Sequence, residues 1–408
     1  MPLFQICTIL TGLLFLFLAR RTQIFNKTLI SLQDQFIEPA RSWPKVSLVI
    51  PACNEAGTVE VAGRSLLQMD YPNLEVVFVN DRSVDETGAL IDLMASADDR
   101  FKAIHIETLP EGWLGKVHAV SQGISHVSGE WILVTDADVH FSDQALKKAI
   151  CYSEKEGLDF LTVVPDLLTR TFGLHVMMAH LYHIGSLLFD LRKLNDPSYK
   201  ACYGQGAFLL FKQSIYRVSE GLEWLKMEAL DDVGLALLLR RAGARMGAVS
   251  GRNEIRLEWY TSLRSMIGGL EKNGFAFYQY SLLVLFAVSI LNWLIFFGFT
   301  LFPILTKSWL YGGFVAGCLA IYLVSINRQL KQLMDMSSFC VLFFPLAFVL
   351  MPLVFIRAAA LALVKQGVQW RTTFYSLEEL KANQRMKLGN LVFSKAPIKE
   401  PAEASFEA

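Results

Sequence analysis

Very little of this chain carries net charge: 38 basic residues face 38 acidic ones over 408 residues, and charged side chains make up only 19% of the total. A nucleic-acid-binding surface would need a strong basic excess, so no nucleic acid is expected as a partner. The six cysteines, Cys7, Cys53, Cys151, Cys202, Cys318 and Cys340, form no CxxC pair. That pattern argues against a zinc site or a disulfide framework and leaves reduced thiols as the simple expectation. No GxGxxG follows the first strand-like run, which disfavours a dinucleotide fold, and no GxxxxGK[ST] is present for a P-loop. There is no internal repeat, and the only biased tract is the Ala/Glu-rich last few residues.

What the chain has in excess is apolar surface. Hydrophobic residues reach 53%, too many for a purely soluble protein of this size. The excess is localised in uncharged runs at Pro2–Ala19, Tyr280–Phe302, Trp309–Ile326 and Ser337–Ile356. Each approaches the roughly 20 residues that span a bilayer as a helix. Arg20-Arg21 follow the first run rather than precede it, and no small-residue cleavage site is evident, so residues 1–27 are expected to be an uncleaved anchor. Basic residues favour the cytoplasmic face, and Arg20, Arg21 and Lys27 place a polar region, residues 28–279, on that side. Arg328 and Lys331 ask for the same side after the third run, and so do Lys365, Arg371, Lys381, Arg385 and Lys387 in a tail at 365–408. One span between those two basic groups cannot satisfy both. Within 280–364, either the last apolar stretch is re-entrant or one segment lies along the interface.

The polar region reads as alternating strands and helices. Val46–Ile50, Leu74–Val79, Phe101–Ile106, Trp131–Thr135 and Phe160–Val164 are short, apolar and rich in β-formers. Helical spacing separates them at Gly57–Met69, Val84–Ala97, Lys116–His126 and Ser142–Glu156. This spacing of βαβ units predicts a mostly parallel sheet covered by helices on both faces. Three of the strands end in polar clusters: Asn54-Glu55, Asn80-Asp81 and Asp136-Ala-Asp138. Open α/β sheets bind ligands at such carboxyl ends. Two carboxylates one residue apart suit a hard divalent cation, and such a cation suits a diphosphate.

These segments, in order, are Val46-Ser-Leu-Val-Ile-Pro-Ala-Cys-Asn-Glu55, Val76-Val-Phe-Val-Asn-Asp-Arg-Ser-Val-Asp85, Gly112-Trp-Leu-Gly-Lys116, Asp136-Ala-Asp138, Gly204-Gln-Gly206 and Ala229-Leu-Asp-Asp-Val233. Together they resemble the inverting family-2 glycosyltransferases of the GT-A, nucleotide-diphospho-sugar type, over residues 46 to about 275. The anchor, the Gly-Trp-Leu-Gly-Lys segment, the C-terminal runs and Gly367-Val-Gln-Trp-Arg371 resemble a narrower group. It includes the hopene-associated and carotenoid (diaponeurosporenoate) glycosyltransferases, with ceramide glucosyltransferase more distant.

The resemblance implies a UDP-sugar donor, Mg²⁺ or Mn²⁺, and a lipid acceptor in the membrane. It implies Asp81 at the uracil–ribose part, with Pro51, Asn54 and Glu55 lining the same pocket and Gln205 on the substrate side. Asp138 is then the metal ligand, and Asp136 supports the nucleotide or metal. Asp232 is the candidate general base, with Asp231 beside it, because inversion needs one carboxylate to take the acceptor's proton. Each has a plainer alternative. Asn-Asp-Arg-Ser is good turn chemistry, Asp231-Asp232 is ordinary capping for the helical stretch that follows, and Lys116 is either a charge near the nucleotide or a solvated surface residue. His175, His180 and His183, within the apolar stretch Phe172–Leu194, lack a matching carboxylate or cysteine and read as interfacial or core histidines. The QxxRW motif of many membrane-bound relatives is absent, with Arg264 and Lys272 in the corresponding region. A processive polysaccharide synthase and a non-catalytic membrane scaffold on the same fold remain the alternatives.

Overall fold

The computed structural model describes residues 3–38, 42–196, 198–199, 201–335 and 337–387. Its elements in chain order begin with α1 (Leu3–Thr28), β1 (Val46–Ala52), α2 (Val59–Leu67), β2 (Leu74–Asp81), α3 (Thr87–Ala97), β3 (Phe101–Ile106), α4 (Gly115–Ser125) and β4 (Trp131–Val134). There follow β5 (Val139–Phe141), α5 (Ala145–Lys155), β6 (Phe160–Leu167), α6 (Phe172–Leu188), β7 (Leu209–Lys212), α7 (Gln213–Arg217), α8 (Asp231–Arg241), β8 (Met246–Leu257) and α9 (Leu263–Asn273). Last come α10 (Leu282–Trp293), α11 (Leu301–Leu305), α12 (Trp309–Leu333), α13 (Phe344–Val364), β9 (Gly367–Trp370), β10 (Thr373–Ser376) and α14 (Leu377–Ala382). The chain forms two compact units. Among the described residues, a sheet unit holds 30–166, 193–257 and 382–387. A helical unit holds the residues up to Leu29, Leu167–Arg192 and Glu258–Lys381.

The sheet unit is built on eight strands in the order β3-β2-β1-β4-β7-β6-β8-β5. β1 pairs in parallel with β2 on one side and β4 on the other, and β2 with β3. β2 and β4 are buried along their whole length, as strands covered on both faces must be. α4 lies across β1 and β2, and Gly123 allows this, since a Cβ there would strike Val49. All five strands expected from the sequence are present. A strand that the sequence did not announce, β7, enters between β4 and β6 and runs antiparallel to both. β6 therefore keeps the sense of β4, and the sheet is mixed, parallel across β3, β2, β1 and β4 and antiparallel at β7 and β5. The chain leaves the sheet after β4 and rejoins it at the far edge, where β5 pairs antiparallel with β8. Asp136, Ala137 and Asp138 occupy that break.

The amino ends of the strands are tied by one buried carboxylate. Glu75, 4% exposed, accepts from the Ser47 hydroxyl at 2.6 Å, the Lys102 ammonium at 2.5 Å and the Ser128 N–H at 3.2 Å. Ser47 in turn accepts from Gly129 N–H at 2.9 Å, so β1, β2, β3 and the turn into β4 share one network. Burial pushes the Glu75 carboxyl up, but Lys102, Ser47 and Ser128 outweigh it and hold it near 2.

In the helical unit α1 and α12 run parallel. Gly12 faces Phe314, Phe15 stacks on Tyr322 at 5.8 Å, and Gln23 donates to the Ser325 hydroxyl at 3.1 Å, so residue numbers rise together along both helices. α6 is anchored by His183, fully buried, whose Nδ1 lies 2.6 Å from Gln329 Oε1 and whose Nε2 lies 2.6 Å from the Tyr322 hydroxyl. The amide oxygen only accepts, so Nδ1 carries the proton and Nε2 receives the tyrosine's. α13 packs on α10 through Phe348 and Phe296, stacked at 4.0 Å, and on α6 through Phe348 and His180. Four stretches are long and apolar enough to cross a membrane: Leu3–Thr28, Leu282–Leu305, Trp309–Leu333 and Ser338–Val364.

The Glu75 network makes a stability prediction. Glu75→Gln removes a charged acceptor from three polar groups and is expected to cost about 2 kcal/mol, read as a lower melting temperature of the detergent-solubilised protein. Because its folded value is depressed, the stabilisation is in place above the ordinary value of 4.5 and is lost as pH falls toward about 2. The wild-type advantage over the Gln variant should shrink across that window; an unchanged gap would refute the assignment.

Candidate active site

Strand order changes direction at β1, whose neighbours β2 and β4 lie on opposite sides. The carboxyl ends of these three parallel strands are therefore adjacent, and they deliver Asn54-Glu55, Asp81 and Asp136 to one rim. β4 pairs with β1 only as far as Val49, so Pro51 lies beyond that ladder and removes no hydrogen bond from it.

Two glycine-containing segments bring the remaining groups in. Gly112 adopts φ +73°, a left-handed turn that lets buried Trp113 and Leu114 pack beneath the loop. Gly115 then opens α4 against Asp81 and Arg82, where a side chain would collide with both. The result sends Lys116 into the rim. Its ammonium lies 2.7 Å from Asp136 and 3.1 Å from Asp231. In the second segment a Cβ at Gly204 would run into the Asp232 backbone carbonyl, and one at Gly206 would sit 2.9 Å from an Asp136 carboxylate oxygen. This segment is tied to β4 and β6: Thr135 donates to the Ala207 carbonyl at 2.8 Å, and Gln205 N–H donates to Thr162 at 3.0 Å.

Asp231 and Asp232 are the first two residues of α8. Asp232 does not cap in the usual manner. One oxygen accepts from the adjacent Val233 N–H at 2.8 Å, and the other from Gly206 N–H at 3.2 Å, which turns the carboxylate toward the Gly204–Gly206 segment and Asp136.

The site is short of positive charge. Burial, and then the charge of Asp231, pushes the Asp232 carboxyl up to about 6. Burial, then Asp136 and Glu55, pushes Asp138 up to about 7. Burial opposes the Lys116 charge, but Asp136 and Asp231 outweigh it and hold the ammonium well above its ordinary value. Lys116 is therefore not a solvated surface residue.

Other expected residues take different positions. Asp81 is buried and is held by a bidentate fork from Arg82, Nε at 2.7 Å and the terminal nitrogen at 3.0 Å. Each oxygen retains a further acceptor direction. Asn54 uses its amide oxygen to accept from Val84 N–H at 2.9 Å, and so braces the loop after β2. Gln205 donates its side-chain amide to the Tyr203 hydroxyl at 2.7 Å. Lys272 and Arg264 lie on α9 in the helical unit, where the Lys272 ammonium sits 3.3 Å above the Trp370 ring.

Arg82 and Glu228 escaped sequence reasoning. Arg82 follows Asp81 directly, and only its φ of +56° distinguishes it from a turn residue. Glu228, 1% exposed, accepts from Leu230 N–H at 3.1 Å, Arg385 N–H at 2.7 Å and Met386 N–H at 2.9 Å. It clamps the C-terminal segment to the loop that leads into Asp231-Asp232, a pairing across 157 residues that no local pattern announces.

Most of the mixed α/β sheet and of its acidic rim lies within a stretch, residues 47–218, that matches Glycosyl transferase family 2. The chain carries a glycosyltransferase domain of that family, with the GT-A fold. Poly-beta-1,6-N-acetyl-D-glucosamine synthase of Staphylococcus epidermidis is 26% identical over 145 residues, covering 35% of this chain and 32% of that protein. Beta-monoglucosyldiacylglycerol synthase of Trichormus variabilis is 30% identical over 124 residues, covering 30% of this chain and 26% of that protein. The chain thus aligns with about a third or less of these relatives' length. Mannosyltransferase PcManGT of Pyrobaculum calidifontis, solved with GDP-Man and Mn²⁺, superposes with a TM-score of 0.52 at 18% identity, over 88% of this chain and 96% of that one.

Glu228→Ala strands the buried N–H groups of Leu230 and Met386 and loses the bond from Arg385 N–H, and is expected to cost about 2–3 kcal/mol. Limited proteolysis should then cut near Arg385 faster than in the wild type. Unchanged cleavage and an unchanged melting temperature would show that the clamp is not formed in solution.

Proposed function

We propose that this protein is a membrane-anchored inverting glycosyltransferase that moves a hexose from a UDP-sugar to the hydroxyl or carboxyl group of a membrane lipid and forms a β-linkage. The observation that carries the reading is Asp232: a carboxylate held by two backbone N–H groups, raised to about 6, beside the acidic rim of a family-2 domain. A general base works best with a value near the operating pH. Asp232 takes the proton as the acceptor oxygen attacks the anomeric carbon from the far side; the bond to the diphosphate breaks, and its electron pair leaves with UDP.

The residues also fit a divalent cation. Glu55, Asp136, Asp138, Asp231 and Asp232 together outnumber Lys116, and after burial the charges of Asp136 and Glu55 add to what raises Asp138. Among the described residues no group of three His, Cys, Asp or Glu side chains could hold a metal ion. Asp138, supported by Asp136, would therefore hold Mg²⁺ or Mn²⁺ together with diphosphate oxygens and water, as hard-cation sites at phosphates commonly do. When bound, the cation offsets the negative charge that grows on the leaving diphosphate. Asp81 with its Arg82 fork would receive the uracil–ribose part, with Glu55, Pro51 and Asn54 at the same rim and Gln205 across from them. Lys116 pairs with Asp136 and Asp231 and its charge favours the ionised form of Asp232. A lipid acceptor is favoured by the apolar helices and by a relative whose name specifies a diacylglycerol product.

The same reading places the sheet unit on the cytoplasmic side of a multi-pass protein, with the divisions at 27, 279 and 364. α12 parallels α1, so the two helices end at the same end of the helical unit. The segment at Arg385 is held by Glu228 of the sheet unit. On this reading α13 starts and ends on the cytoplasmic side, the re-entrant or interfacial arrangement that the two basic groups flanking it ask for. Cysteines placed singly at Lys307 and Asp335 should be labelled by an impermeant reagent from opposite sides, and one at Lys365 from the side of Asp335. Labelling at Lys365 and Asp335 from opposite sides would restore a crossing for α13.

Incubating the solubilised protein with UDP-glucose, UDP-galactose or UDP-N-acetylglucosamine, lipid extract and Mn²⁺ should yield a lipid heavier by one sugar residue. Asp232→Asn should lower transfer by about a hundredfold or more while UDP binding is retained; Asp138→Ala should lose metal-dependent UDP binding. In the wild type, kcat/KM should fall as pH drops through about 6, because protonation disables a base whose value is raised. Full activity of Asp232→Asn would end the base assignment, and long polymer in place of glycolipid would favour the synthase.

A further inference from the structure

The helical unit contains a cavity of about 220 Å³ between the second half of α1 and the end of α6. Its walls are Phe17, Ile24, Phe25 and Phe189, together with Arg20, Arg21, Ser186 and Asp190. Neither arginine has a hydrogen-bond or ion-pair partner among the described residues. Guanidinium groups are built for bidentate pairing with carboxylate or phosphate oxygens, and two of them against aromatic walls form an anion site that the protein itself leaves unfilled.

The approach to this cavity is apolar. Leu3, Ile6, Leu10, Leu13 and Phe17 are all exposed and recur at helical spacing, so they form one stripe along α1 that ends at the cavity mouth. The volume is too small for a whole lipid, since sites for drug-sized ligands begin near about 300 Å³, but it suits a head group. Asp190 leaves the lining with a single net positive charge, which matches a monoanion better than a dianion.

We propose that this cavity binds the head of a monoanionic amphiphile, a carboxylate or a phosphodiester, with the hydrocarbon chain lying on the stripe of α1. The proposal is independent of the transferase reading. It differs from the general attraction of basic residues to a membrane surface by requiring these two arginines and this volume.

The full-length protein in a nonionic maltoside is titrated with oleate, dioleoylphosphatidylglycerol, dioleoylphosphatidylcholine and inorganic phosphate while its melting temperature is followed. Oleate, phosphatidylglycerol or both should raise it saturably, and the responder names the head group; phosphatidylcholine and inorganic phosphate should not. The double variant Arg20→Gln/Arg21→Gln should raise the half-saturating concentration by about tenfold or more, as expected for lost charge-assisted bonds. Ser186→Leu, which fills the cavity and spares both arginines, should abolish the response. Lys27→Gln, which removes a cation of the same helix outside the lining, should leave it unchanged. Equal loss with Lys27→Gln, an equal response to phosphatidylcholine, or a response to inorganic phosphate alone would overturn the proposal. If Ser186→Leu does not fold, the comparison of the arginine pair with Lys27 still decides.

Discussion

Lys116 is the counter-charge on which the site depends. A sheet whose parallel strands end side by side concentrates backbone and side-chain polarity at one rim, and here the side chains are nearly all acidic. One ammonium touches Asp136 and Asp231, while Asp138 and Asp232 are left to share the deficit. Both consequently resist ionisation, through burial first and their acidic neighbours second. The loops are shaped by the need to bring these charges close. Gly115, Gly204 and Gly206 each occupy a point where a Cβ would touch an acidic residue of the rim, at Asp81, Asp232 and Asp136 respectively. Gly115 and Gly206 are there because charged side chains leave no room, Gly204 because the Asp232 backbone does, and Gly112 because the chain must turn.

The opposite end of the same sheet shows what a fully compensated carboxylate looks like. Glu75 is as buried as Asp81, yet a lysine, a hydroxyl and an amide satisfy it, and its value is driven down rather than up. The sheet is thus closed at its amino end and left electrically incomplete at its carboxyl end. Glu228 adds a third solution: three backbone N–H groups hold a carboxylate that stays raised by burial, because N–H dipoles only partly replace a counter-ion. Only the incomplete rim has charge left over for a ligand.

The strands of the parallel half were legible because burial on both faces enforces continuous apolar runs, and Trp131–Val134 breaking into Asp136-Ala-Asp138 marked the site directly. β7 was not legible. Leu209–Lys212 is as short as β4, but it follows a long excursion through α6 and pairs with partners on both sides that lie far away in sequence. Lys116 was left between two readings, since its decisive contacts are with Asp136 and Asp231, 20 and 115 positions away. Asn54 stands at the rim, as expected, and its amide oxygen also accepts from Val84 N–H. That bond follows from the conformation of the loop, which composition does not encode. The histidines of α6 were expected to be interfacial or core, and His183 joins the core of the helical unit through Gln329 and Tyr322.

That unit shows how an apolar composition still specifies one packing. Helices surrounded by hydrocarbon gain little from burying more hydrocarbon, so close approach and polar pairs decide which faces meet. Gly12 admits the Phe314 ring, and Gln23, Asn26 and Ser325 join α1 to α12. His183, Gln329 and Tyr322 then bring in α6 with the proton positions set by the amide oxygen. The polar contacts that join α1, α6 and α12 thus lie in the halves of α1 and α12 that carry Arg20, Arg21, Lys27 and Arg328, whereas the uncharged half of α1 packs through apolar and aromatic contacts of Phe4, Gly12 and Phe15.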